Sequence, residues 1–166
     1  MAEPTQQPGA PRERPRVPEF AIARDGTWFH RGSAVKREAL VRLLAGLLRR
    51  QGDVHVLQTP EQRIRVEVED APFVAVELEV RNPGPQQELE FRLAHGERVI
   101  LDAAHPLTMR SEGGEDAAPR PYLLLEGGLE ALLHRNVFYR LVDLAVCEPA
   151  DGRLGVYSAG MFFPLE

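Results

Sequence analysis

The stretch Arg63–Val80, RIRVEVEDAPFVAVELEV, decides the fold class. Ile64, Val66 and Val68 alternate with Arg63, Arg65, Glu67 and Glu69. Beyond Asp70-Ala71-Pro72, residues Val74, Val76, Leu78 and Val80 repeat the pattern, with Glu77 and Glu79 opposite. Side chains of an extended strand point alternately to its two faces, so a period of two buries one face and wets the other. Val54 and Val56 extend the pattern upstream. Leu89, Phe91 and Leu93 follow the Asn82-Pro83-Gly84-Pro85 turn, and Val99 to Leu101 follow His95-Gly96. These runs predict a central antiparallel β meander over 63–110.

Helical periodicity flanks this meander. Leu40, Leu43, Leu44, Leu47 and Leu48 fall on one stripe, which predicts a helix over 34–50. Ser33 is its expected N-cap, Glu38 and Arg42 sit on its wet side, and Gly52 is its left-handed stop. Before it, Arg24-Asp25-Gly26 reads as a turn and Thr27 to Arg31 as a short strand. Near the other end, Tyr122 to Leu125 reads as a strand and Gly127-Gly128 as a turn. Leu129 to Val146 reads as a helix, with Leu133, Val137, Leu141 and Leu144 inward. Asp151-Gly152 is a turn between that helix and the strands Leu154–Ser158 and Met161–Phe163. The expected fold is therefore α+β: a central antiparallel meander, two helices, and a strand–helix–strand motif repeated at each end.

Residues 1–18 are rich in Pro, Gln, Arg and Glu, and are expected to be a disordered tail. Residues 19–166 are expected to form one compact unit. An alternative division gives two subdomains, 19–62 plus the meander 63–110, and 121–166. A net charge of −5 disfavours nucleic acid as a partner. The N-terminus lacks the apolar run of a signal peptide and no run approaches a membrane span, so a cytoplasmic location without membrane contact is expected. Cys147 is the single cysteine, which excludes an intrachain disulfide; it is expected to be buried.

The chemistry-bearing residues form no catalytic motif. Ser158 lies in Gly155-Val156-Tyr157-Ser158-Ala159-Gly160, where the first glycine stands one residue too early for a nucleophile elbow. His30, His55, His95, His105 and His134 make no metal-ligand pair, and no phosphate-cradling or dinucleotide fingerprint occurs. Glu130 and His134 stand one helical turn apart, a spacing that suits a solvated helix face better than a cation site. No cofactor or metal is expected.

Seven residues remain as ligand-binding candidates. Trp28 and His30 share one face of a strand, where an aromatic and a histidine can floor a site, although a core tryptophan edged by a satisfied histidine is commoner. Arg135 and Tyr139, with Asp143, form an i, i+4, i+8 stripe. That stripe is either a surface ladder or a polar wall with Arg135 as anion anchor. Glu61 and Asp70 lie in turns, where a carboxylate can act as an acid or base or cap its own turn. His105 is their candidate partner.

The motifs together resemble the bacterial family catalogued as "domain of unknown function 1285". They are Asp25-Gly26-Thr27-Trp28-Phe29-His30-Arg31-Gly32 before a leucine-rich helix, Thr59-Pro60-Glu61, Glu69-Asp70-Ala71-Pro72-Phe73-Val74, and Asp102 to Pro106. Gly128-Leu129-Glu130-Ala131-Leu132, Phe138-Tyr139-Arg140-Leu141-Val142 and Ser158-Ala159-Gly160-Met161-Phe162-Phe163-Pro164 complete the set. The resemblance runs from about Ile22 to Leu165. It departs in a shorter lead-in before Asp25, and in Leu44 where a phenylalanine is expected. It implies cytoplasmic α+β proteins built of repeated strand–helix motifs, with a role in ligand binding or signalling and no established activity.

The leading expectation is a non-catalytic binding or regulatory module. It would recognise a small anionic metabolite or a protein partner in a groove between the two helix-bearing ends. There Trp28 and His30 would supply stacking and a hydrogen bond, Arg135 the counter-charge and Tyr139 a donor. A second reading is an enzyme pairing Asp70 or Glu61 with His30 or His105. A third is a homodimer without a ligand.

Overall fold

The computed structural model describes residues 16–111, 113, 114 and 116–166. Most of the expected tail, residues 1–15, and Glu112 and Glu115 of the expected loop therefore lie outside the described residues. The first half contains β1 (Phe20–Ile22), β2 (Trp28–His30), β3 (Ser33–Ala34), α1 (Glu38–Leu47), β4 (Leu48–Gln51), β5 (Val54–Gln58) and β6 (Arg63–Val68). Its strands form one sheet in the order β3-β2-β1-β6-β5-β4. The second half contains β7 (Phe73–Arg81), β8 (Glu88–Leu93), β9 (Arg98–Ile100), β10 (Leu107–Arg110), β11 (Arg120–Leu124) and β12 (Glu130–Leu133). These form a second sheet in the order β10-β11-β12-β7-β8-β9. Then come α2 (Arg135–Asp143) and a small sheet of β13 (Val146–Cys147), β14 (Leu154–Ser158) and β15 (Met161–Pro164).

The fold is α+β, with a different sheet arrangement from the one the sequence suggested. β6 and β7 lie in separate sheets, so Asp70-Ala71-Pro72 joins two layers and is not a hairpin. Each large sheet is mixed: two antiparallel three-stranded runs meet through one parallel pair, β1 with β6 and β7 with β12. Counted from its own first strand, each large sheet has the same strand order. Period-two patterning fixes which side chains share a face and leaves the choice of partner strand open.

A β-bulge between Ala75 and Glu77 changes the facing of β7. Phe73 and Ala75 join the main core before it, and Leu78 and Val80 after it, so the inward parity switches. Val74 and Val76 are thereby turned off the face expected for them, because one extra residue reverses every later side chain. The core runs unbroken from Ile22 and Trp28 through Phe91 and Leu123 to Val156 and Leu165. Each such large side chain contributes about 1.5–3 kcal/mol of burial.

Both helices are shorter than their periodicity suggested. Arg31 (φ 49) and Gly32 (φ 84) form a two-residue hairpin turn that pairs Ser33 with His30, so Ser33 is a strand residue and not an N-cap. α1 starts at Glu38 behind Arg37, which makes no side-chain cap. It stops at Leu47 because Leu48–Gln51 pair with Val54–Leu57, and Leu48 is fully buried. The buried stripe is Leu44, Ala45 and Leu48, while Leu40 and Leu43 are 38% and 60% exposed. Leu129–Val146 likewise splits. Glu130–Leu133 is a strand held on both sides by β7 and β11, with Ala131, Leu132 and Leu133 all buried. A strand buried on both faces does not alternate, and its apolar run mimics a helix. The stretch from His134, whose ring accepts from the Asn136 N–H at 3.3 Å, begins the true helix.

Candidate ligand-binding site

A cavity of about 310 Å³ forms where two turns and α1 meet, with walls from both halves of the chain. The first turn is Arg24-Asp25-Gly26, as expected. Asp25 Oδ1 accepts the Thr27 N–H at 2.9 Å, which holds the Asp25 carboxyl below its ordinary value. Gly26 has φ 88, and a Cβ on it would stand 3.1 Å from Val74 Cγ2, so the turn seats directly on the second half. The second turn follows β8. Ala94 N–H donates to Val74 O at 2.9 Å, and Gly96, at φ 103, donates to Leu93 O at 2.8 Å. His95 projects from this turn with its ring 4.6 Å from that of Phe73 and its Nε2 3.1 Å from Glu97 Oε2.

Three permanent cations, Lys36, Arg42 and Arg92, line this cavity against one carboxylate, Glu38. That local excess is opposite in sign to the chain's net charge of −5. Lys36 makes no ion pair among the described residues. Arg42 meets Glu38 at 3.7 Å, and both side chains are more than half exposed. Such a pair is worth about 0–1 kcal/mol and yields readily to a better anion. Arg92 gives its Nε–H to Glu77 Oε2 at 2.7 Å, which leaves its Nη groups without a partner among the described residues. Trp28, Val35 and Val41 supply apolar wall. The combination suits a small ligand with an anionic group and an apolar or planar part.

Neighbouring cavities are chemically different. One of about 420 Å³ between the second sheet and α2 is lined by Glu77, Glu79 and Glu90 against Arg92, Arg98 and Arg140. Its charges largely satisfy one another: Arg98 Nη1 lies 2.8 Å from Glu90 and 3.3 Å from Glu79, and Arg81 lies 2.9 Å from Glu90. Another, of about 490 Å³, has Arg49 and Arg50 on its wall. Their guanidiniums are committed to the carbonyls of Gly46, Leu48, Gly52 and Gly128. Neither has an excess of cations: three carboxylates face three guanidiniums in one, and Glu97 and Glu126 stand with Arg49 and Arg50 in the other.

The seven sequence candidates are not gathered in one place. Trp28 lines the cationic cavity, 2% exposed in the core. His30 is exposed, its ring stacked at 4.8 Å on Phe20, and it lines a different groove. Glu61 is exposed in the β5–β6 turn. Asp70, its side chain 1% exposed, accepts from Arg120 at 2.8 Å and Tyr122 at 2.9 Å. His105 Nδ1 lies 3.0 Å from Asp102 Oδ1. Arg135 and Tyr139 are exposed on α2, whose groove-facing residues are Asn136, Val137 and Arg140. No hydrogen bond or ion pair among the described residues joins Asp70 or Glu61 to His30 or His105.

Other expectations also shift. Glu130 and His134 belong to different elements: Glu130 pairs with Arg110, and His134 caps α2. Ser158 is buried, and its Oγ accepts the Leu89 N–H at 2.9 Å, a role that docks β14 onto β8. Cys147 is exposed on β13. Among the described residues no cluster of His, Cys, Asp or Glu could hold a metal, and no helix is long and apolar enough to cross a membrane.

Lys36, Arg42, Arg92 and His95 were missed as site residues because each sits alone in its own local pattern. The available signals were the one lysine of the chain, between a glycine turn and a helix, and the turn His95-Gly96.

Comparisons with known proteins agree on one family. Residues 11–71 match "Domain of unknown function (DUF1285), N-terminal domain", and residues 72–165 match "Protein of unknown function (DUF1285), C-terminal domain". The cationic cavity thus takes Lys36 and Arg42 from the first region and Arg92 and His95 from the second. Among solved structures, a DUF1285 family protein from Silicibacter pomeroyi DSS-3 is similar, with 42% identity and TM-score 0.81. The match covers 89% of this chain and 79% of that one. A DUF1285 family protein from Shewanella baltica OS155 is similar at 29% identity and TM-score 0.60, covering 77% of this chain and 93% of that one. No match is found among curated proteins. With both family regions matched in order across its length, the chain belongs to the DUF1285 family.

Proposed function

We propose that this protein is a non-catalytic cytoplasmic module that binds a small anionic metabolite in the cavity between its two halves and acts in regulation or signalling. The observation that carries the reading is the placement of Lys36, Arg42 and Arg92 around one concave, partly apolar site in an otherwise acidic protein. Anions are drawn to such a site by the local field, and guanidinium groups hold carboxylate or phosphate oxygens bidentately. The equal strand order of the two large sheets supports treating the halves as a structural repeat. A ligand bridging them would couple their relative position to occupancy. Three cations from separate elements and a Trp28 wall favour a di-anionic ligand with a planar or apolar body.

Native mass spectrometry of freshly purified protein, beside the same sample denatured, tests this reading. An added mass that disappears on denaturation, and is absent from an Arg42→Glu, Arg92→Glu variant, is the expected result. An added mass retained by that variant would place the ligand elsewhere.

A further inference from the structure

A second concave surface lies on the other side of the segment that carries Lys36. It is a groove of about 520 Å³ between the hairpins β1–β3 and α1, within the roughly 300–1,000 Å³ range of small-molecule sites. Phe20, Val35, Leu40 and Leu44 form its walls. Leu40, 38% exposed, and its neighbour Leu43, 60% exposed, leave apolar surface of α1 uncovered among the described residues. Lys36 and Arg37 stand on the rim, with His30 stacked on Phe20, and no acidic side chain lines the groove. Neither Lys36 nor Arg37 has an ion-pair partner among the described residues.

We infer that this groove binds a free medium- or long-chain carboxylate, with its alkyl chain along Phe20, Val35 and Leu40 and its head group against Lys36 and Arg37. The charge complementarity is one-sided, which selects an anionic head over a cationic or neutral one. The concave shape suits one chain. A bilayer surface is instead recognised by clusters of roughly four to eight basic residues, more than this rim supplies. The groove adjoins the anionic-metabolite cavity and shares Val35 and Lys36 with it, while Phe20, Arg37, Leu40 and Leu44 belong to the groove alone.

Titration calorimetry of the full chain with octanoate, decanoate and dodecanoate below their micellar concentrations tests the inference. Saturable one-to-one binding is expected, strengthening about fourfold per added methylene. Leu40→Asp and Arg37→Glu each weaken it at least tenfold, while Arg42→Glu leaves it within twofold and dodecyltrimethylammonium binds at least tenfold more weakly. Leu40 and Arg37 are exposed, so both variants keep the wild-type thermal transition, which is measured alongside. Absence of binding, independence of chain length, or equal binding of the cationic amphiphile overturns the inference. So does binding only to anionic phospholipid vesicles, which would make the groove a membrane contact. A dimer that Leu40→Asp dissociates, without any carboxylate binding, would assign the groove to a second copy of the chain.

Discussion

The hydroxyl of Tyr122 on β11 donates to Asp70 Oδ1 at 2.9 Å, binding the link between the two large sheets to the second of them. Arg120 Nη1 completes the carboxylate at 2.8 Å, and the Arg110 guanidinium lies 3.9 Å above the Tyr122 ring centroid. Asp70 is the last residue but one of the first family region. It is thus a pin that ties the end of the first region to β11 of the second.

Removing one member of a buried ion pair strands the other, at about 3–5 kcal/mol for full burial. Arg120 is 29% exposed and can re-solvate, so Asp70→Ala is expected to cost about 2–4 kcal/mol. Tyr122→Phe should cost about 1.5–3 kcal/mol, the worth of one hydrogen bond to a charged acceptor. Urea unfolding checks both. A loss under about 0.5 kcal/mol for Asp70→Ala would remove the pin from the account.

Gly155 in β14 is expected to tolerate no side chain. A Cβ there would overlap the Phe163 carbonyl oxygen and the Phe162 ring, and the backbone oxygen cannot move without breaking the β14–β15 ladder. Gly155→Ala should cost more than about 3 kcal/mol, read as a lowered melting temperature. An unchanged transition would mean that β14 and β15 pair differently.

Arg31 carries φ 49 at the first position of a two-residue hairpin turn. Asparagine adopts that conformation more readily, so Arg31→Asn should stabilise the fold by about 0.5–1 kcal/mol. Melting temperatures of the two proteins decide it, and a decrease would show that the arginine side chain contributes more than its backbone costs.

Burial lowers the pKa of His55 below its ordinary 6.5; the nearby Arg50 adds to the shift and Glu130 opposes it. The unfolded chain therefore binds more protons once the pH falls through that value. His55's contribution to stability is complete above about pH 6.5 and is lost on acidification below it. His55→Gln should flatten the fall in melting temperature between about pH 7.5 and about pH 5.5. An equal fall in both proteins would assign the acid sensitivity to other groups.

How much of this was legible in the sequence depends on what kind of information each element carries. The turns at Arg24-Asp25-Gly26 and His95-Gly96 and the strand Leu154–Ser158 were readable, because their residue types impose local geometry. α+β class was readable from the two periodicities. The partition into two mixed sheets was not, since nothing in Arg63–Val68 names β1 as its parallel partner. Leu48 and Glu130–Leu133 followed tertiary pairing against their helical pattern. Of the residues that line the cationic cavity, Trp28 alone was among the sequence candidates. Lys36, Arg42, Arg92 and His95 converge only after Gly26 packs on Val74, a contact of two positions far apart in sequence.

The central claim is that the cavity between the halves takes a small anion. Trp28 is the single tryptophan and lines that cavity, so its fluorescence reports on occupancy without a label. The account predicts a saturable change in Trp28 emission on titration with dicarboxylates or phosphate monoesters, weakened by salt and abolished in the Lys36→Glu, Arg42→Glu variant. Emission that stays constant across those anions, or a change that survives the double charge reversal, would contradict it.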